Sequence, residues 1–482
     1  MIADRQTLRR GVALAAIFLT GCALNPVTGK NELALVSQSQ EINMGKQGAA
    51  EVAQSIGLYH DAAVQAWVSR LGLSVAARTE RPELPWEYRV LDDPSVNAFA
   101  LPGGFIFVTR GLLAHLTNEA ELATVLGHES GHVAARHSVQ QISRAQLAQL
   151  GLGIGSILSS GIRKYSNVAG AGLGLLFLKF SRDDESQADA LGFRYALVDG
   201  YDVREMVGVF QMLDQQNKLS GGGRLPEWQA THPDPGNRIE AVNEHLAAVH
   251  ENLDAKKIGR DEFLKMTDGM VYGDNPRQGF FRGPLFLHPD LKFQFQFPDG
   301  WKMQNGSDAV VGASAKQDAI VVLRGAPGTL AEASQAFFGQ PGLQAGSISQ
   351  NSIHGFPART GEFSAQTDEG TLRGIATFIA FGGTTYQITA YTTSDRFSGY
   401  SAVFQRSIAS FDRLTDPRAL AAQPMRLKLA RAPRAMTLQQ FNTEFPSSVS
   451  LDEVALINGI DRTDQLRTGQ SVKRVLAGSP TR

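Results

Sequence analysis

A single cysteine, Cys22, stands in 482 residues, so no intramolecular disulfide staples this chain. Charge of one sign is missing as well: 46 Lys and Arg against 47 Asp and Glu leave a net charge of −1. No basic surplus is available to neutralise a phosphate backbone, which excludes nucleic acid as a partner. Long apolar runs are absent. The most apolar internal stretch, residues 151–180, is split by Arg163 and Lys164 into runs of roughly a dozen residues, against the ~20 that a membrane span requires. It reads as two short apolar segments with a loop between, either a core helical hairpin or a flap. What remains is 43% hydrophobic and 19% charged, a globular composition whose length suits roughly three domains.

The first 21 residues read as a secretory signal. Arg5, Arg9 and Arg10 form a positive region, and residues 11–19 are an apolar core too short for a transmembrane helix. Leu19-Thr20-Gly21-Cys22 resembles a bacterial lipoprotein box. That resemblance implies cleavage before Cys22, lipidation of the new N-terminal cysteine, and a periplasmic protein anchored to the outer membrane. Ala23 in the next position is compatible with outer-membrane sorting. Residues 22–40, with the turn-rich Asn25-Pro-Val-Thr-Gly-Lys30, are expected to be a tether.

The chain has only 10 histidines, yet two of them fall in His128-Glu129-Ser-Gly-His132. Positions i and i+4 lie on one face of a helix, so both imidazoles reach one metal ion. Glu129, beside the first ligand, is placed to take a proton from a water activated by that metal. Asn118 with Glu121 marks the helix start. Gly127 and Gly131 cost about 1 kcal/mol each inside a helix. Their presence implies that another element packs close to the backbone beside the metal. The helix is expected to run to about residue 149. On it, His137 would lie about 140° from His132 and point away from the metal. Ala135 and Ser138 occupy the positions where a metzincin carries its glycine and third histidine, so that class is excluded.

Two histidines need a third protein ligand, with a fourth position left for water. Ser181 with Asp184 marks a second helix start. On that helix Glu185 and Asp189 share a face one turn apart. Glu185 suits the metal, and Asp189 suits the ring nitrogen of a ligand histidine that faces away from it. Asp183 and Asp184 compete as ligands but belong to the first turn, where acids complement the helix dipole. Upstream, Asn97 precedes a turn at Pro102-Gly103-Gly104 and a strand over residues 105–109. A free edge on that strand would bind an extended substrate, with Asn97, Phe105 and Phe107 as contacts. A hairpin that only covers the core is the alternative.

Together, Asn97-Ala-Phe-Ala-Leu-Pro-Gly-Gly, the His128–His132 motif and Glu185-x-x-Ala-Asp189 resemble the zinc metallopeptidases typified by HtpX and the CAAX prenyl protease, peptidase family M forty-eight. The likeness covers residues 30–250. It implies one Zn2+ held by His128, His132 and Glu185, with Glu129 as the base. The membrane helices of those two namesakes are missing, which points to the periplasmic BepA-like branch acting on unfolded or misassembled envelope proteins. Thr231-His232-Pro233 and Arg238 also match that branch. His232 then either takes the fourth metal position, giving a latent enzyme, or joins Arg238 in stabilising the oxyanion.

The expected fold class is multidomain. A mainly α-helical, gluzincin-type metallopeptidase domain with a small β-sheet fills residues 41–250, followed by a linker at 251–283. An α+β sandwich-like domain follows at 284–416; its Phe297-Pro-Asp-Gly-Trp301 resembles PsbP-like folds. Residues 424–476 resemble a LysM-like βααβ module through Leu456-Ile-Asn-Gly459 and Gly469-Gln470, which implies contact with peptidoglycan. A scaffold or assembly chaperone with its metal site held shut is the rival function.

Overall fold

The computed structural model describes residues 22–149, 180–219, 232, 237–306, 308–367 and 370–478. The expected signal (1–21) and all but the last residue of the apolar stretch at 151–180 lie outside them. Among the described residues, no helix is long and apolar enough to cross a membrane. Two compact units emerge. One combines residues up to 53 with 57–273 and 426–476, and the other spans 274–425.

The first unit begins with an ordered hairpin where a tether was expected. Strand β1 (Cys22–Leu24) pairs antiparallel with β2 (Asn31–Leu33). Asn25, 2% exposed, organises the turn between them. Its Oδ1 accepts the Val27 amide at 2.9 Å, while its Nδ2 donates to Glu32 at 2.7 Å and to the Ala135 carbonyl at 3.1 Å. These bonds hold residues 22–33 against the chain that leaves the His128–His132 helix.

Next comes a three-stranded sheet. Strands β3 (Glu87–Leu91), β4 (Ala98–Leu101) and β5 (Phe105–Thr109) are ordered β3-β5-β4. β5 runs parallel to β3 and antiparallel to β4. This corrects the free-edge reading of residues 105–109. β5 is the central strand, and all five of its residues are buried. An unbroken apolar run, rather than an alternating one, is what a strand covered on both faces needs. Phe105 and Phe107 are core residues, the latter stacked on Phe99 at 5.2 Å. The outer position, on the side away from β3, belongs to β4.

The motif helix, Glu119–Ala134, is buried along its whole length and starts where Asn118 Oδ1 accepts the Glu121 amide at 2.9 Å. It packs against Arg182–Val198, which opens with a capping box between Ser181 and Asp184. The expected close approach is present. A Cβ on Gly127 would sit 2.9 Å from the Gly192 carbonyl oxygen, and one on Gly192 only 2.7 Å from the His128 nitrogen. Glycine on both sides lets the two backbones touch.

The motif helix does not run to residue 149. It stops at Ala134, and a new helix, His137–Gln149, starts three residues later. Arg136 between them is left-handed, with φ of 60°. A non-glycine residue there is strained, and surrounding contacts must offset the cost. Arg136 donates to the Val36 carbonyl at 2.9 Å and to Glu41 at 3.2 Å. Buried Glu41 also accepts Arg81 at 2.7 and 3.0 Å.

Residues 426–476 belong to this same unit, which corrects the picture of a separate tail module. Ser471–Leu476, Met425–Arg431 and Val271–Tyr272 form one sheet. Within residues 426–476, Met436–Thr437, Leu438–Glu444, Leu451–Asn458 and Gln465–Leu466 follow in the order strand, helix, helix, strand, with the two short strands paired. The region expected as a linker carries the helix Arg260–Thr267, whose Phe263 meets the Trp67 ring edge-on at 5.4 Å. Lys473 is fully buried. Its Nζ donates to the Ala114 and Leu116 carbonyls at 2.8 and 2.6 Å, at the C-terminal end of the helix Arg110–His115. Burial pushes this ammonium down to about 7, against the pull of Glu121. Lys473→Met leaves two buried carbonyls unpaired. It is expected to cost about 3 kcal/mol and to lower the first unit's Tm by roughly 5–10 °C. A calorimetric scan with an unshifted transition would refute that weld.

The second unit is α+β, as expected, but starts near residue 274. A seven-stranded antiparallel sheet spans residues 302–393, with the helices Leu330–Phe338 and Phe397–Ala409. A four-stranded sheet contributes Phe286, Phe293 and Phe295 to the aromatic core, joined by Phe404 and Phe411.

Candidate metal centre

His128 and His132 lie one turn apart on the motif helix, with their Nε2 atoms 3.0 Å apart. The facing helix supplies Glu185. Its Oε2 is 3.6 Å from His128 Nε2 and its Oε1 is 3.5 Å from His132 Nε2. His232 closes the group, its Nδ1 3.0 Å from Glu185 Oε1 and 3.4 Å from His128 Nε2. All four side chains are buried, and each offers a ligand atom within 4.8 Å of the others. Tetrahedral bonds of about 2.0–2.1 Å separate neighbouring donors by about 3.3 Å, so these spacings are those of four atoms around one small cation. Among the described residues, Glu185 Oε2 is buried without a hydrogen-bond partner. A carboxylate oxygen left so is costly, and a cation among these donors offsets the cost. The residues therefore fit a divalent metal.

The donors are held from behind. Asp189 Oδ1 lies 2.8 Å from His128 Nδ1, so a proton on Nδ1 leaves the Nε2 lone pair facing inward. Arg238 grips Asp189 twice, Nε to Oδ2 at 2.8 Å and Nη2 to Oδ1 at 2.5 Å, and lies 4.3 Å over the Phe210 ring. Burial pushes Asp189 up, but Arg238 and His128 outweigh it and hold the carboxyl down at about 2. The Arg238 guanidinium, expected as one candidate for an oxyanion contact, pairs with Asp189, and its Nη2 lies 3.9 Å from Glu185 Oε2.

Glu129 points into the same space without joining the donors. Both carboxylate oxygens are buried and lack a hydrogen-bond partner among the described residues, and Oε1 lies 3.6 Å from His232 Nε2. Burial raises its pKa, with His232 and His128 pulling back. For His232 burial lowers the pKa, but Glu185 and Glu129 outweigh it and raise it. Burial, reinforced by His128 and His137, holds His132 well below its usual range.

Two residues of the site were not identified from the sequence. His137, expected to point away, has its Nδ1 2.9 Å from His132 Nδ1. The left-handed turn at Arg136 re-aims it, which a continuous-helix reading cannot foresee. Phe180 stacks on His132 at 4.0 Å, and nothing in its apolar context singled it out. Asn97 stands at the entry to β4, buried, with Oδ1 lacking a hydrogen-bond partner among the described residues.

Residues 62–246 match the model of Peptidase family M48. The chain is 29% identical over 225 residues to the beta-barrel assembly-enhancing protease of Yersinia pestis, covering 45% of this chain and 46% of that protein. It is 34% identical over 195 residues to the mitochondrial metalloendopeptidase OMA1 of Arabidopsis thaliana, covering 39% and 38%. The matches thus span half or less of these two relatives' length. Among solved structures, cyanobacterial PsbP from Synechocystis aligns over 28% of this chain and 94% of its own, with 17% identity and a TM-score of 0.23.

Proposed function

We propose that residues 62–246, which match the model of Peptidase family M48, form a peptidase domain, and that this chain is a periplasmic zinc endopeptidase acting on unfolded or misassembled outer-membrane proteins. The observation that carries the reading is the convergence of His128, His132, Glu185 and His232 on one buried point beside Glu129. The substrate class follows the name of the beta-barrel assembly-enhancing relatives.

His128, His132 and Glu185 hold the zinc in this reading. A zinc ion held there would act as a Lewis acid and would lower the pKa of water in the site to around 7. Glu129 takes the proton at its carboxylate and returns it to the leaving amine. Asp189, held by Arg238, keeps His128 in the tautomer that leaves Nε2 available. An extended peptide adds to the outer edge of β4, beside Asn97, by main-chain hydrogen bonds. Lipidation at Cys22 anchors the domain through the β1–β2 hairpin. The βααβ segment at 436–466 supports a LysM-like contact with peptidoglycan.

A second reading rests on His232. Its Nδ1 stands in the fourth donor position, so the arrangement is that of a latent site, and a chaperone or scaffold role follows if it never opens. Opening requires His232 to leave. His232→Ala is therefore expected to raise cleavage of an unfolded outer-membrane β-barrel protein about tenfold over the parent, since a minority competent state becomes the main one. Cleavage should vanish with chelator and return with zinc. A fall in His232→Ala would mean that the imidazole assists the chemistry. No cleavage by parent or variant would favour the scaffold.

A further inference from the structure

His128 and His132 are equivalent in the motif but not in their surroundings. Behind His128 stands an ion pair, Asp189 with Arg238. Behind His132 stands a third imidazole. His137 Nδ1 lies 2.9 Å from His132 Nδ1, and His137 Nε2 lies 2.9 Å from Gln187 Oε1. His137 is 1% exposed, so water does not replace these partners. Asp184 Oδ1 stands 3.7 Å from the same Nε2, but its Oδ2 is engaged in capping the helix at the Ser181 amide.

We propose that His137 is the positioning residue for His132, accepting the Nδ1 proton of His132 so that its Nε2 lone pair is presented to the metal. The inference rests on the metal-centre reading above. The proton positions follow from the partners. Gln187 Oε1 can only accept, so His137 Nε2 carries a proton. A neutral imidazole has one such proton, which leaves His137 Nδ1 as an acceptor. His132 Nδ1 must then donate, and its Nε2 is left as a lone pair facing His128 and Glu185. Phe180 stacks on one face of the His132 ring at 4.0 Å and limits its tilt. The chain Gln187–His137–His132 thus does for the second ligand what Arg238–Asp189 does for the first, without a formal charge.

The test compares the full chain with His137→Leu and His137→Asn by zinc competition against a chromophoric chelator, alongside the melting curve of each zinc-free protein. Loss of a partner behind a ligand histidine typically costs 10–100-fold in metal affinity. His137→Leu, which fills the space but accepts nothing, is expected to weaken zinc by that factor. His137→Asn, whose Oδ1 stands near the place of Nδ1, is expected to recover most of it. Should His137→Leu not fold, Gln187→Leu breaks the next link and is expected to weaken zinc several-fold. Nitrogen-15 spectra of the zinc-loaded parent should show His137 protonated at Nε2 and bare at Nδ1. Equal zinc affinity in the parent and His137→Leu overturns the proposal, as does a proton on His137 Nδ1. His137→Asn as weak as His137→Leu, with both melting like the parent, does so too. A parent that binds no zinc removes the metal-centre reading itself, and this proposal with it.

Discussion

Glu129→Gln is expected to keep one zinc per chain while peptide hydrolysis falls by about 10²–10⁴-fold, the usual contribution of a positioned general base. The substitution keeps shape and volume. Glu129 makes no hydrogen bond among the described residues, so none is broken. It is not among the four donors, so the metal should stay. What is lost is a group able to take a proton, because an amide side chain does not accept one at neutral pH. Stability should hold or rise, since burial already disfavours the ionised carboxylate and the variant is neutral. Metal analysis and casein cleavage on freshly purified protein decide the matter. Full cleavage by the variant would refute the role of Glu129.

Removing a donor should have the opposite signature. Glu185→Ala is expected to weaken zinc by roughly 10²-fold or more, because about 10–16 kcal/mol of binding shared among four donors is about 3 kcal/mol for each. Activity should fall with occupancy and recover in part with excess zinc, which Glu129→Gln would not do. Asp184→Ala is the control on the same helix. Its carboxylate caps the first turn through the Ser181 amide at 2.9 Å, so it should alter helix stability and leave zinc in place. Chelator competition giving equal affinity for the parent and Glu185→Ala would take Glu185 out of the ligand set.

The parts of this site that were legible in the sequence are those governed by local periodicity. His128 and His132 are brought together by helix geometry alone, and Glu185 with Asp189 by the same rule on a second helix. The glycines at 127 and 131 disclosed a close neighbour, which proved to be Gly192 for the first and Ala188 with Leu191 for the second. What escaped depends on partners distant in the chain. Arg136 takes a left-handed conformation because Val36 and Glu41 bind its side chain, and no pattern around residue 136 announces them. That one turn moved His137 from a discarded position to contact with a proposed ligand. Residues 105–109 became a central strand because 87–91 pairs on their other side, a pairing that short apolar runs do not specify. Residues 426–476 are tied to the first unit in part by Lys473, a charged residue that by type belongs at a surface.

The backbone contact between Gly127 and Gly192 would bear on which ions the proposed site accepts. Because main chain meets main chain there, no side chain is available to shrink or swing, and the span from the two imidazoles to Glu185 cannot stretch far. Calcium, which prefers 6–8 oxygen ligands at 2.3–2.6 Å, meets a cradle too narrow and too rich in nitrogen. Copper(II) prefers a flatter array than these helices offer. Discrimination among cations would then come from the bulk that two glycines omit, as much as from the residues that touch the ion.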